Sequence, residues 1–267
     1  MDGFLYSMFS ATMSENSSKI LHFFCYNSPM RRIFFFLVVF FAIFGCVAEG
    51  GGMKLEDNLA IEKINLDFDG EIDSSFYIQD ISDELFAKMW GKSFKENCTI
   101  PRSQLRHLRL LHTTLDGSTQ EGELVCNVKI AQKLLDIFKK LYRAGYPIEK
   151  IRLIDEYDGD DERSMSDNNS SCFNFRFISH TTTVSKHGSG LAVDINPLYN
   201  PYYKMVRGRP NIEPANSAPY LDRSKKFPYK IDHNDLAYKL FTEAGFEWGG
   251  DWPDCKDWQH FELKTEN

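Results

Sequence analysis

Ser185-Lys186-His187-Gly188-Ser189-Gly190-Leu191-Ala192-Val193-Asp194-Ile195 carries two patterns at once. From Leu191 to Ile195 large aliphatic residues alternate with Ala192 and Asp194, the period-two pattern of a strand with one face in a core. Ahead of the strand, Gly188 and Gly190 let the backbone turn tightly. Such a turn brings the His187 imidazole and the Asp194 carboxylate to one ion.

The elements on either side place this strand in a mixed fold. Upstream, Phe173-Asn174-Phe175-Arg176-Phe177-Ile178 alternates in the same way and reads as a second strand facing the same core. Ile148 to Ile154 reads as another strand, and the acidic run from Asp155 to Asp167 as a surface loop. Asn127 caps a helix whose apolar face is Ile130, Leu134, Ile137, Phe138 and Leu141, closed by Gly145 and Pro147. Ser82-Asp83-Glu84 starts a shorter helix through Leu85, Phe86, Met89 and Trp90, ending at Gly91. Downstream, Asp232 or Asn234 can cap a last helix through Leu236, Leu240, Phe241 and Ala244 to Gly245. Phe246–Trp248 and Trp258–Leu263 follow as strands. The order of elements predicts an α+β domain. There is no internal repeat, no low-complexity tract and no glycine-rich phosphate loop leading into a helix.

The chain of 267 residues, 42% hydrophobic, is long enough to bury one good-sized core. Its net charge of −7 supplies no broad cationic field, which argues against nucleic acid or an anionic membrane as the main ligand. The beginning reads differently. Met30-Arg31-Arg32, the apolar run Ile33–Phe44 and then Gly45-Cys46-Val47-Ala48 form a basic region, a hydrophobic region and a small-residue exit. The apolar run is shorter than the roughly 20 residues of a spanning helix. Export to the periplasm or cell envelope is therefore expected, with cleavage after Ala48, with the segment kept as a short signal anchor that tethers the chain to the membrane or, since Ile43-Phe44-Gly45-Cys46 resembles a lipobox, with a lipid tether at Cys46. Residues 1–29 are assigned no structure. The expected division is 1–48 extension and signal, 49–80 polar leader headed by Gly50-Gly51-Gly52, and 81–267 catalytic domain. Beyond the signal Cys98, Cys126, Cys172 and Cys255 permit three disulfide pairings in an oxidising compartment.

Asp257-Trp258-Gln259-His260-Phe261-Glu262 offers a second imidazole. With His187 and Asp194, His260 completes three nitrogen and oxygen ligands, which leave the fourth position of a tetrahedral zinc open for water. Asp257 is the candidate base. Residues three apart on a flat strand face opposite sides, so Asp257 and His260 share a cavity only if the strand begins or bulges between them. Arg176 has the fixed charge to meet an oxyanion or a substrate carboxylate, and Ser185 can add a hydrogen bond. Each residue also has a structural reading: a lone histidine packs, an aspartate ends an edge strand, Arg176 pairs with Asp155.

Taken together, Ser185-x-His187-x-x-Gly190-x-Ala192-x-Asp194 followed by Asp257-x-x-His260 resembles the signature of the zinc D-alanyl-D-alanine carboxypeptidases and L-alanyl-D-glutamate endopeptidases. The similarity extends through Lys92–Cys98, Gly122-Glu123-Leu124, Ile151–Asp155 and Phe173–Arg176. It implies the compact Hedgehog/DD-peptidase-like fold, a small antiparallel sheet flanked by helices with zinc on its concave face. It further implies His187, Asp194 and His260 as ligands, Asp257 as base, Arg176 and Ser185 as substrate or oxyanion contacts, and peptidoglycan stem peptides as substrate. The family's base is Glu or Asp, so Asp257 does not select the bond cut. Two other readings stand beside this one: a non-catalytic zinc module that binds cell wall or a protein, and a zinc enzyme for a small D-Ala-D-Ala dipeptide. His107, His112, His180 and His233 fall outside the pattern, the first two reading, with Arg102, Arg106 and Arg109, as a solvated or interfacial helix face.

Overall fold

The computed structural model describes residues 70, 72–178 and 181–264. The signal-like segment to Ala48 with Cys46, the Gly50-Gly51-Gly52 stretch and His180 lie outside the described residues. Among the described residues no helix is long and apolar enough to cross a membrane.

The chain is α+β. Among the described residues it runs through β1 (Tyr77–Asp80), α1 (Asp83–Met89), β2 (Leu105–Thr113), β3 (Thr119–Asn127) and α2 (Val128–Arg143). β4 (Lys150–Ile151), α3 (Asp161–Ser166), β5 (Asn169–Ser170) and β6 (Ala192–Asp194) follow. Then come β7 (Tyr202–Val206), β8 (Arg209–Glu213), α4 (Leu236–Glu243), β9 (Phe246–Trp248), β10 (Lys256–Asp257) and β11 (His260–Leu263). Three small antiparallel sheets have the orders β1-β2-β3, β10-β7-β8 and β6-β11-β9, while β4 and β5 pair in parallel.

Local chemistry explains the two helices expected early in the chain. Ser82 Oγ accepts from Leu85 N at 3.2 Å and starts α1. Asn127 Oδ1 accepts from Lys129 N at 3.1 Å and starts α2, whose buried stripe Ile130, Leu134, Ile137, Phe138 and Leu141 meets Leu108, Leu110 and Leu124 of the β2–β3 hairpin. On the hairpin's other face Leu105 and Val125 join Leu85, Met89, Phe94, Phe173 and Phe175 in a second core. One hairpin thus serves two cores. Val193, Phe261 and Trp248, cross-strand neighbours in β6-β11-β9, lie in the first core, so Asp194 and His260 are carried on the opposite face of that sheet.

Several expectations are corrected. Leu105–Thr113 is a strand, and His107 and His112 are buried on it, because the residues that looked like a charged helix face are shared between two covered faces. The stretch Asp155–Asp167 is no simple loop: a 3-10 turn, Ile154–Tyr157, and α3 occupy it. Burial of Asp155, Tyr157, Ser164 and Met165 outweighs its acidic composition, and Asp155 Oδ1 accepts from Ser93 N at 3.1 Å. Only Lys150–Ile151 of the expected strand Ile148–Ile154 pairs. Phe173–Ile178 is extended but belongs to no sheet, since its N–H groups go to carbonyls of Val125, His187, Ser93 and Thr183 in different parts of the chain. The last helix is capped by Asp235, whose Oδ1 accepts from Ala237 N at 2.8 Å, while Asp232 Oδ1 closes a turn on Asn234 N. β1 falls inside the stretch read as leader, and Ile72 and Phe76 are buried in the first core, so packed structure starts ahead of Ile81. Cys98, Cys126, Cys172 and Cys255 are all free thiols.

Candidate metal centre

The turn Ser185–Gly190 is built as its glycines require. Gly190 has φ +67°, and a Cβ there would stand 2.8 Å from Asn127 N, the residue that caps α2. A Cβ on Gly188 would stand 2.6 Å from the Arg176 carbonyl oxygen. Ser185 Oγ accepts from Gly188 N at 2.9 Å, so this side chain is engaged in closing the turn. His187 leaves the turn pointing at the end of β6. Antiparallel register sets His260 directly opposite Asp194, where cross-strand Cβ atoms come within about 5.5 Å.

His187, Asp194 and His260 are all buried, and their donor atoms converge. His187 Nε2 lies 3.1 Å from His260 Nδ1 and 3.2 Å from Asp194 Oδ2, and His260 Nδ1 lies 3.2 Å from Asp194 Oδ1. A tetrahedral ion with bonds of about 2.0–2.1 Å needs ligand atoms about 3.3–3.4 Å apart, close to this spacing.

The outward bonds decide which nitrogens face inward. His187 Nδ1 is 2.7 Å from the Cys172 carbonyl, which can only accept, so Nδ1 carries the proton and Nε2 presents its lone pair. His260 Nε2 donates to Glu262 Oε2 at 3.1 Å, leaving Nδ1 as the inward lone pair. Two lone pairs and a carboxylate therefore meet in one buried place, an arrangement that a cation satisfies. Burial alone would lower the His260 pKa, but hydrogen bonds to Asp194 and Glu262, with the charge of Asp257, push it up to about 10. Burial would raise the pKa of Asp194, yet His187 and His260 hold it well below the usual carboxylate range.

Asp257 lies beside this cluster. β10 ends at Asp257, in register with Tyr202 of one sheet, and β11 begins at His260 in another, which is the irregularity the spacing required. Asp257 is partly exposed, but its Oδ1 is buried without a hydrogen-bond partner among the described residues. Burial pushes its pKa up to about 7, with His260 pulling down and Asp194 and Glu213 adding to the rise. Arg176 pairs with Asp161, not Asp155: Nε is 2.9 Å from Asp161 Oδ2, whose partner oxygen accepts from Asn174 Nδ2 at 2.8 Å. Arg176 Nη1 is buried and has no partner among the described residues.

Residues with no assigned role in the sequence reading complete the surroundings. A Cβ on Gly249 would stand 2.7 Å from Asp257 Cβ and 3.3 Å from His260 Cβ, so only glycine fits between them. The Trp252 ring lies 5.2 Å from the His260 ring. Glu262 shares the face of β11 that carries His260, a two-residue spacing visible in the sequence. For Asp161 there was no sequence signal, because its partner lies in a different segment.

Residues 179–263 match the family model described as D-alanyl-D-alanine carboxypeptidase. The match spans His187, Asp194, Asp257 and His260 and stops short of Arg176. No curated protein and no solved structure matches the chain significantly.

Proposed function

We propose, from the premise that residues 179–263 belong to the D-alanyl-D-alanine carboxypeptidase family, that this chain is a zinc metallopeptidase acting on the stem peptides of bacterial peptidoglycan. The observation that carries the reading is the convergence of His187 Nε2, Asp194 and His260 Nδ1 beside a carboxylate with an unpartnered oxygen. His187, Asp194 and His260 would hold the ion, on a Hedgehog/DD-peptidase-like arrangement of small sheet and helices. Zinc bound there supplies Lewis acidity toward a scissile carbonyl and toward water.

The chain's own groups do the rest. Asp257 accepts the proton of the attacking water and delivers it to the leaving amine, and its unpartnered Oδ1 is the atom available for both transfers. Arg176, anchored through Nε by Asp161, would bring its guanidinium charge to a substrate carboxylate or to the developing oxyanion. Ser185 shapes the turn that presents His187 and keeps its hydroxyl proton for substrate. The bond cut is a terminal D-alanine bond or an internal one such as L-Ala to D-Glu. The basic and apolar N-terminal segment supports export to the periplasm or cell envelope, by cleavage after Ala48 or tethering at Cys46.

Digestion of purified muropeptides, with the fragments weighed, tests the proposal. Asp257→Asn should keep zinc and fold while turnover falls by roughly 100-fold. Unchanged turnover would remove Asp257 as the base. A parent protein that binds muropeptides and never cuts them would make this a binding module.

A further inference from the structure

The two imidazoles are held from behind by different chemistry. His187 donates to a neutral backbone carbonyl, that of Cys172, at 2.7 Å, whereas His260 donates to the Glu262 carboxylate at 3.1 Å. Glu262 is largely buried, its side chain 14% exposed, and a carboxylate in such a place needs a partner for each oxygen. Oε2 takes His260, and Oε1 lies 3.6 Å from Lys186 Nζ. Lys186 also donates to the Leu263 carbonyl at 3.2 Å and is the neighbour in sequence of His187. The two segments that carry the histidines are therefore joined a second time, behind the centre, by Lys186 and Glu262.

We propose that Glu262 is a positioning residue that sets the metal affinity of the centre through His260, with Lys186 as its anchor. The inference rests on the reading of His187, Asp194 and His260 as ligands and goes beyond it to the layer that orients them. A carboxylate behind a ligating imidazole fixes the ring and makes its inward nitrogen a stronger donor, and removing such a partner weakens metal binding by about 10- to 100-fold. A carbonyl, as behind His187, fixes the ring without adding charge. His260 is thus the stronger nitrogen donor of the pair, and the charge that makes it so belongs to Glu262.

The test is zinc affinity of the full chain, measured by competition with a chelating dye, for the parent, Glu262→Gln and Glu262→Ala. Glutamine keeps an acceptor for the His260 Nε2 proton and loses the charge, so binding should weaken by about tenfold, and alanine, which removes both, by about 100-fold. The Nε2 proton resonance of His260 in the zinc-loaded parent should lie downfield and move upfield in Glu262→Gln, a signature that a purely structural role would not produce. Thermal unfolding of the metal-free proteins identifies any variant that fails for loss of fold, and the glutamine variant preserves volume and hydrogen bonding. A parent that binds zinc while both variants bind it equally well overturns this inference alone. A parent that takes up no zinc overturns the proposed function together with it.

Discussion

His107 and His112 on β2 are as deeply hidden as His187 and His260, at 6% and 4% exposed against 5% and 6%, yet the two pairs do opposite things. In the hairpin the rings sit at positions of opposite parity along one strand and so face away from each other. His107 Nδ1 meets Gln79 Nε2 at 2.8 Å, and its ring stands 3.2 Å from Glu123, which Arg109 also engages. His112 Nδ1 meets the Ile148 carbonyl at 2.7 Å. Burial lowers both pKa values; Glu123 at His107 and the Ile148 carbonyl at His112 oppose it, and Arg109 and Arg152 add to the fall. At the candidate metal centre the rings converge with a carboxylate, and hydrogen bonds to Asp194 and Glu262 outweigh burial, so His260 moves the other way. Burial of an imidazole is therefore no sign of a metal site; convergence of inward lone pairs is.

The sharpest way to break this comparison is to delete one histidine from each pair. His187→Ala should drop zinc in the purified protein from about one ion per chain to near none, because a three-ligand centre does not survive as two. His107→Ala should keep its zinc and unfold more easily, by about 1–3 kcal/mol, since a buried polar network loses a member. Metal content by atomic emission and urea unfolding read the two effects. Full zinc in His187→Ala, or loss of zinc in His107→Ala, would erase the distinction.

Gly249→Ala comes next in expected size. The added methyl would fall against Asp257 and His260, at the break between β10 and β11, where the backbone must pass close to both. Overpacking of this kind destabilises by about 1–3 kcal/mol. A displacement near 1 Å of base against ligand is expected to lower turnover by about 100-fold. Muropeptide turnover equal to that of the parent would show that the gap at Gly249 is not needed.

Why the sequence reveals one half of the site and hides the other follows from how far each interaction reaches along the chain. The His187–Asp194 spacing, the two glycines, the caps Ser82 and Asn127 and the break required between Asp257 and His260 are local, and the structure has all of them. The antiparallel register that sets His260 opposite Asp194 is a long-range pairing that no local pattern encodes. The acidic stretch turns helical because Asp155, Tyr157, Ser164 and Met165 are buried against residues far away in sequence. The β2–β3 hairpin escaped notice because it serves two cores, which blurs its alternation. Gly249 gains its meaning only when the fold brings Asp257 and His260 beside it.

Asp161→Ala probes a smaller effect, the fixing of Arg176. This ion pair is partly exposed and is worth at most about 1 kcal/mol, so KM for muropeptides should rise by about three- to fivefold with kcat little changed. An unchanged KM would separate Asp161 from substrate binding.

The smallest effect belongs to the hairpin, and it concerns pH. Because burial holds the folded pKa of His112 below the ordinary value of 6.5, the unfolded chain binds the proton more readily than the folded one. The stability that neutral His112 provides is complete above pH 6.5 and is lost as pH falls from there through the lowered folded value. The cleft beside it is lined by Glu121, Glu149, Lys150 and Arg152, and among these Arg152 acts to lower the pKa while the Ile148 carbonyl works against it. His112→Asn retains a donor for that carbonyl and removes the titration. Melting temperatures of the metal-free protein, measured from pH 7.5 down to pH 5, should therefore fall less steeply in His112→Asn than in the parent, with the two close together at pH 7.5. Equal slopes would mean that the proton enters the folded hairpin as easily as the unfolded chain, and that His112 is not held neutral by its burial.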